Sequence, residues 1–214
     1  GAFMGTQSPL TVTQMLWVNL IMDTFAAFAM SALPPSNRVM NDPPRNRHAF
    51  ILDRSMLRNI MGVGVFFFLL LVGMLYVFKH NDVHSLSQFY DAAASWLSGC
   101  NSSTALSHDK AQRITPYELT LLFTTFVMTH FWYMFCARAY NSGSSAFNMR
   151  HCRSFVTIAV VIFLGQIAMV QLPVLNTFFN VVPLTLSDWL IIILLSSLVV
   201  WVREAKRLIS RGTT

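Results

Sequence analysis

Long apolar runs without a single charge are the feature that most limits what this chain can fold into. Residues 59–78 form an uncharged run of 20, residues 154–172 one of 19, and residues 189–202 one of 14. A helix needs roughly 20 apolar residues to cross the hydrocarbon core of a bilayer. Charged residues make up only 11% of the chain, whereas about a quarter is usual in a soluble domain. The chain is therefore predicted to be a membrane domain.

Five membrane-spanning helices are predicted, so the fold class is all-α, a polytopic transmembrane helix bundle. The first span is the most polar of the five, and it is expected to end at Pro34 and Pro35, since proline lacks an amide hydrogen and clashes with the preceding turn. The last span is expected to begin at Ser187 and Asp188, where either side chain would make a suitable N-cap. The predicted bounds are roughly 11–32, 57–78, 117–137, 154–172 and 186–202.

The basic residues lie on alternate loops, and this asymmetry predicts the orientation. Segment 31–58 holds five of them, segment 137–154 three and segment 203–214 four, whereas the long segment 79–116 holds only three. By the positive-inside rule, the first three segments face the cytoplasm and the C-terminus is cytoplasmic. The N-terminus is then outside. Because the first residue is also not Met, we expect earlier spans to belong to the same protein.

The remaining charge and cysteine patterns exclude two other kinds of site. The net charge is +6, but the basic clusters lack the interleaved aromatic residues that bind single-stranded nucleic acid, so no nucleic-acid partner is expected. Cys100, Cys136 and Cys152 have no metal-binding spacing, and they are predicted to be unpaired.

Asp23 is the one acidic residue, of nine in the chain, that lies well inside a predicted span. A charged Asp at mid-bilayer costs about 2.5–3.5 kcal/mol on insertion scales, so it is expected to face a partner or a water-filled cavity. Asn19 precedes it by four residues, which on an α-helix would place both side chains on one face. One explanation is a structural Asp held by hydrogen bonds between helices. The favoured explanation is a cation site.

Carboxylate and amide oxygens are hard ligands, suited to Ca²⁺, Mg²⁺ or Na⁺ rather than to a soft metal. Calcium takes about six to eight oxygens. Asp23 can supply two of them and Asn19 one. The site is therefore predicted to be incomplete without helices outside this sequence.

The stretch that holds these two residues also carries a family resemblance. Residues 10–27 read LTVTQMLWVNLIMDTFAA, and they resemble the sixth transmembrane helix of P-type calcium ATPases, in particular the plasma-membrane and bacterial subtype. The family pattern WVNLIMDT is present without a gap. The likeness continues at LPP (33–35), TFVM (125–128) and VPLTLSDW (182–189), so it covers essentially the whole chain.

The resemblance implies that residues 1–214 are the sixth to tenth helices of a pump's membrane domain. Asn19 and Asp23 then correspond to calcium ligands, and Met22 stands where pumps with two calcium sites have a ligating Thr. On the eighth helix the family carries Gln or Glu, Asn and Asn, where this chain has His130, Tyr133 and Cys136. His130 is a minor candidate ligand. A histidine hydrogen-bonded within the bundle is the favoured alternative.

By the same resemblance, Ca²⁺ is the transported ion, and ATP and Mg²⁺ act only through domains that this sequence lacks. The phosphorylation motif DKTG does not occur in it, so this chain alone is not expected to hydrolyse ATP. The implied partners are the lipid bilayer, the first five helices and the cytoplasmic domains, with loop 34–56 contacting the phosphorylation domain. An ordinary charged connector is an equally good interpretation of this loop. The implied location is the bacterial inner membrane. Two alternatives remain: a related pump for Na⁺, K⁺ or Mg²⁺, and a non-catalytic membrane subunit or remnant.

Overall fold

The computed structural model describes residues 10–33, 54–80, 114–139 and 152–211. All regular structure within these ranges is helical, and five helical stretches are long and apolar enough to cross a membrane. The predicted all-α membrane bundle is thus confirmed. Three sequence predictions lie outside the described ranges, wholly or for the most part: the stop at Pro34 and Pro35, the state of Cys100, and the role of loop 34–56.

The first span consists of three consecutive helical stretches, and each later span is one continuous helix. A short helix between the fourth and fifth spans was not predicted from the sequence. The elements are α1 (Val12–Trp17), a π-helical segment (Val18–Phe25), α2 (Ala26–Ser31), α3 (Arg54–His80), α4 (Pro116–Arg138), α5 (Arg153–Gln171), the short α6 (Pro173–Phe179) and α7 (Leu186–Arg211).

The first span departs from α-helical geometry at Val18–Phe25. There the backbone forms a π-helix, in which each turn is closed by i→i+5 hydrogen bonds and is wider than an α-helical turn. No Gly or Pro occurs between residues 12 and 31 to mark the change. Periodicity therefore could not reveal it, because apolar spacing does not distinguish an α-helix from a short π segment inside one.

Reciprocal side-chain caps begin three of the helices. At α4, the Thr115 amide donates to the Glu118 carboxylate (2.8 Å) and the Glu118 amide to the Thr115 hydroxyl (3.3 Å). Thr185 and Asp188 form the same pair at α7, with distances of 3.0 and 3.4 Å. The predicted cap at Ser187 and Asp188 is therefore wrong by a few residues. Asp188 lies inside the helix, and its carboxylate accepts from the Thr185 amide just before the helix, as in a capping box.

Helix α4 is the centre of the bundle. Its side chains are mostly buried, whereas those of α3 are mostly exposed. Leu121, Phe123 and Val127 are almost fully enclosed, and α4 packs most extensively against α7, then against α3 and α5. Cys136 and Cys152 are buried, free thiols, as predicted.

Polar contacts join the α6–α7 connection to the bundle. The Val182 amide donates to the Thr120 hydroxyl of α4 (3.0 Å), and the Gln171 side-chain amide donates to the Leu184 carbonyl (2.7 Å). In a bilayer the helices gain little from the hydrophobic effect, so close packing and hydrogen bonds of this kind hold them together.

Thr120→Val tests how much this connection contributes to stability. Thr120 is 1% exposed, so the variant leaves the Val182 amide without its acceptor. We expect the free energy of unfolding to fall by about 1–2 kcal/mol, measured by denaturant titration in detergent micelles. Thr157→Val is the matched control, since that exposed hydroxyl bonds only to its own helix at the Arg153 carbonyl. Equal effects of the two substitutions would contradict the assignment.

Candidate cation site

The two predicted ligands, Asn19 and Asp23, both lie in the π segment of the first span. Both side chains are exposed in the described structure. Val18 and Met22, on the packed side of the same segment, are 6% and 3% exposed. The segment therefore has an apolar side against the bundle and a polar side turned away from it. The Met22 side chain, at the position where two-site pumps carry a ligand, belongs to the packed side.

The Asp23 carboxylate makes no hydrogen bond to any part of the chain that the structure describes, although it interacts electrostatically with His130 of α4. None of the described helices therefore holds the carboxylate by a hydrogen bond. A carboxylate that is exposed on a membrane helix needs either water or a cation beside it. Asn19 can place its amide oxygen on the same open side, because residues four apart remain neighbours around a helical turn.

His130 is held by its own helix and by aromatic rings. Its Nδ1 lies 2.9 Å from the Phe126 carbonyl oxygen, and its ring packs edge-on against Phe126 and Phe67 at centroid distances of 4.3 and 5.1 Å. A carbonyl only accepts, so Nδ1 donates in this contact, and in the neutral ring Nε2 is the acceptor. The side chain is thus partly buried within the bundle, yet electrostatically linked to Asp23.

Tyr133 shares a neighbour with His130, since both rings pack against Phe67 of α3. The Tyr133 ring packs against Phe67 of α3 at 5.8 Å, and the Cys136 Sγ lies 4.0 Å from the Val199 carbonyl of α7. Both side chains line a cavity between α3, α4 and α7. The two positions where the family resemblance places asparagines therefore contribute to the wall of this cavity.

Within the four described ranges, no three His, Cys, Asp or Glu side chains are grouped as a complete metal site would require. Asp23 and Asn19 can supply three oxygens, about half of the shell that calcium needs. The open side of the π segment therefore offers one face of a cation site.

Two hydrogen bonds fix the rotation of the first span just before its ligand-bearing turn. The Trp17 indole N–H donates to the Gln166 side-chain oxygen of α5 (3.2 Å), and the Gln14 side-chain amide donates to the Phe179 carbonyl of α6 (3.1 Å). The Trp17 ring also packs edge-on against Phe179 at 5.2 Å. We call these four residues the Trp17 anchor.

The two glutamines of the Trp17 anchor are buried, and the Trp17 ring packs closely against α5. Gln166 is 1% exposed and Gln14 2% exposed. A Cβ built at Gly165 would lie 3.8 Å from the Trp17 ring, an ordinary van der Waals distance, so the indole lies directly beside α5. Sequence reasoning missed this anchor. The available signal was the pair of glutamines in otherwise apolar helices, since buried amides in a bilayer are expected to pair.

Comparison with known proteins adds a separate line of observation. The family described as cation transporting ATPase, C-terminus, matches residues 7–209. The chain is 31% identical over 191 residues to plasma membrane calcium-transporting ATPase 2 of Oreochromis mossambicus and 30% identical over 194 residues to plasma membrane calcium-transporting ATPase 4 of Homo sapiens. It is 31% identical over 156 residues to calcium-transporting ATPase PAT1 of Dictyostelium discoideum.

The three alignments cover 89%, 89% and 73% of this chain, but only 15%, 14% and 12% of the relatives. The chain thus spans about one seventh of the length of the relatives it matches.

A double-mutant cycle measures the hydrogen bond at the centre of the Trp17 anchor. We expect Trp17→Phe and Gln166→Leu to be non-additive, with a coupling of about 0.6–1.7 kcal/mol, the range found for hydrogen bonds between membrane helices. The cycle compares the unfolding free energies of the wild type, the two single variants and the double variant, all measured in bicelles. Trp17→Phe combined with Ser196→Ala is the control, because the Ser196 hydroxyl bonds only within α7. Additivity in both cycles would show that the indole contributes packing alone.

Proposed function

The chain belongs to the family of cation-transporting ATPase C-terminal domains, as the resemblance at 17–24 predicted, and we propose that residues 1–214 form the C-terminal membrane half of an ATP-driven calcium pump. The named relatives above are calcium-transporting ATPases, which supports Ca²⁺ as the transported ion. Phosphorylation by ATP with Mg²⁺ would take place in other domains of the complete protein. The partners are then the lipid bilayer, the preceding helices and the cytoplasmic domains.

Asn19 and Asp23 are proposed to bind the transported calcium ion. One observation carries this proposal: an acidic side chain in the middle of the first span is exposed while the opposite side of the same turn is packed into the bundle. In the complete pump this side would face the preceding helices, and a divalent cation held between them would offset the cost of about 2.5–3.5 kcal/mol of a charged Asp at mid-bilayer. His130 of α4 is proposed as a minor contributor through its electrostatic interaction with Asp23.

The π segment suits a site that must bind and release its ion. Wide i→i+5 turns occur mostly as short interruptions of α-helices, and often at functional sites. The Trp17 anchor would hold α1 in place while movement of the neighbouring helices changes the distances around Asp23. Phosphorylation elsewhere in the pump would thereby lower the affinity of the site and release the ion. In the complete protein, loop 34–56 is proposed to transmit this movement.

The protein is an integral membrane protein, as the apolar helices and the family both indicate. The proposed orientation has a cytoplasmic C-terminus, and it rests on the distribution of basic residues. The proposed bacterial inner membrane rests on the sequence resemblance alone, since the relatives named above are eukaryotic.

Asp23→Asn tests the proposed ligand in the complete pump. We expect calcium-dependent ATPase activity to be abolished, because the amide supplies one oxygen and no charge where the carboxylate supplies two oxygens and a charge. Asp188→Asn is the control, since an Asn oxygen can still accept from the Thr185 amide. Unchanged calcium affinity in Asp23→Asn would contradict the role assigned to this residue. Activation of the wild-type pump by Na⁺, K⁺ or Mg²⁺ instead of Ca²⁺ would identify a different cargo.

Gln166→Leu separates positioning from binding. Loss of the acceptor for Trp17 loosens the turn that precedes Asn19, so we expect the calcium concentration for half-maximal ATPase activity to rise about fivefold, equivalent to ~1 kcal/mol. The maximal rate should remain close to that of the wild type. Ser196→Ala, another loss of a buried polar group, should change neither quantity. A fall in the maximal rate without a change in calcium dependence would mean that Gln166 only stabilises the fold.

A further inference from the structure

The connection between the fourth and fifth spans carries no charge. No Asp, Glu, Lys or Arg occurs between Arg153, at the start of α5, and Asp188, in the first turn of α7. About a quarter of the residues in a soluble domain are charged, and the other connection on the same predicted side of the membrane, 79–116, holds six charged residues. In composition, residues 172–185 are therefore more similar to the spans that they join than to a loop in water.

The lengths of the two spans place α6 at the boundary of the hydrocarbon core. Helix α5 has 19 residues, Arg153–Gln171, and at 1.5 Å per residue it is about 28 Å long, close to the core thickness of about 30 Å. Only Leu172 separates α5 from α6, and the apolar stretch of α7 begins at Leu186. Helix α6 therefore lies at the membrane surface opposite Arg153, which in the predicted orientation is the outer one.

Helix α6 has three sides with different surroundings. Phe179 is buried, and its ring packs against Trp17 of the first span. Val174 and Phe178 are 80% and 69% exposed, and because they are four residues apart they share one side of the helix. Thr177 is exposed on a third, polar side. Such a helix fits a position where protein, lipid and water meet.

Exposed apolar side chains also flank α6 on both sides. Leu172 before it and Leu186 after it are each more than half exposed. Leu186 is the first of four exposed leucines that recur at intervals of four along α7, and the others are Leu190, Leu194 and Leu198. Residues four apart lie on one side of a helix. The apolar side of α6 thus leads directly into an apolar stripe that crosses the membrane.

We propose that α6 is an interfacial helix that inserts Val174 and Phe178 among the lipid acyl chains of the outer leaflet. Interfacial helices bury their apolar side about 5–10 Å into the boundary between headgroups and acyl chains. Since the connection has no charged side chain, it contacts the apolar part of the lipid and selects no particular headgroup. The inference is independent of which cation the pump carries.

Insertion of α6 would also support the first span. The Phe178 ring packs edge-on against Phe179 at 5.1 Å. Phe179 in turn packs against Trp17 at 5.2 Å, and its carbonyl accepts from the Gln14 side chain. A helix fixed at the membrane surface therefore holds Phe179 in place for the Trp17 anchor.

Photocrosslinking identifies what covers the apolar side of α6. Phe178→p-benzoylphenylalanine keeps an aromatic side chain and adds a ketone that, on illumination, forms a covalent bond with a neighbouring C–H group. The intact pump is illuminated in vesicles of dioleoylphosphatidylcholine, and the adducts are identified by mass spectrometry of its peptides. The same replacement at Leu190, exposed within the apolar stretch of α7, is the positive control. Replacement of Thr177, exposed on the polar side of α6, is the matched negative control.

A charge substitution provides the second arm, because its effect has opposite signs in lipid and in water. Val174 lies in the first turn of α6, where an acidic side chain in water is neutral or stabilising. In lipid the same charge is unfavourable. We expect Val174→Asp to raise the unfolding equilibrium constant in bicelles about tenfold, equivalent to ~1.4 kcal/mol. Thr177→Asp, the same charge on the polar side, should leave it within about twofold of the wild type.

We expect acyl-chain adducts from position 178 to be as frequent as those from position 190, and about tenfold more frequent than those from position 177. Cross-links from position 178 chiefly to segment 79–116, to the preceding helices or to another protein would overturn the proposal, because a protein surface would then cover this side of α6. A lack of adducts at position 178 would show that it faces water, and equal stabilities of Val174→Asp and Thr177→Asp would contradict insertion as well.

Discussion

Water is absent from the core of a bilayer, so every polar group placed there must find a partner within the protein, and the bundle is organised around this constraint. The capping pairs at Thr115 and Thr185 satisfy amides at the helix starts, and the Thr120 hydroxyl satisfies the amide of Val182. In the Trp17 anchor, the indole donates to the Gln166 side-chain oxygen of α5 and the Gln14 side-chain amide donates to the Phe179 carbonyl of α6. The Asp23 carboxylate has no hydrogen-bond partner within the described residues, which is why a cation, with further oxygens from the preceding helices, is proposed beside it.

The first span combines two roles that are usually separate in a membrane helix. Its early turns are held firmly to α5 and α6 by the Trp17 anchor, while the following π segment presents Asn19 and Asp23 on the opposite side. Because the anchor ends at Trp17 and the ligands begin at Asn19, a small change in the packing of α5 would be transmitted directly to the ligands. This close spacing makes Gln166 a positioning residue although it does not lie at the site itself.

Helix α4 carries both His130, the proposed minor contributor to the calcium site, and two residues of the cavity between α3, α4 and α7. His130 and Tyr133 both pack against Phe67 of α3, and Tyr133 and Cys136 line the cavity formed with α3 and α7. Helix α4 is also the most buried part of the described bundle, so these residues belong to a rigid element and not to a loose surface helix.

The sequence alone determined the all-α membrane fold, the number of spans and the candidate ligands Asn19 and Asp23. These depend on local quantities: the length of an apolar run, the charge of each loop, and the cost of one acid within a span. Tertiary structure alone decided the π segment, helix α6, the Trp17 anchor, the cap at Thr185 and the cavity between α3, α4 and α7. Each of these depends on which distant groups meet in space, as Trp17 and Gln166 do across 149 positions of sequence, and no local pattern of apolar residues contains that information.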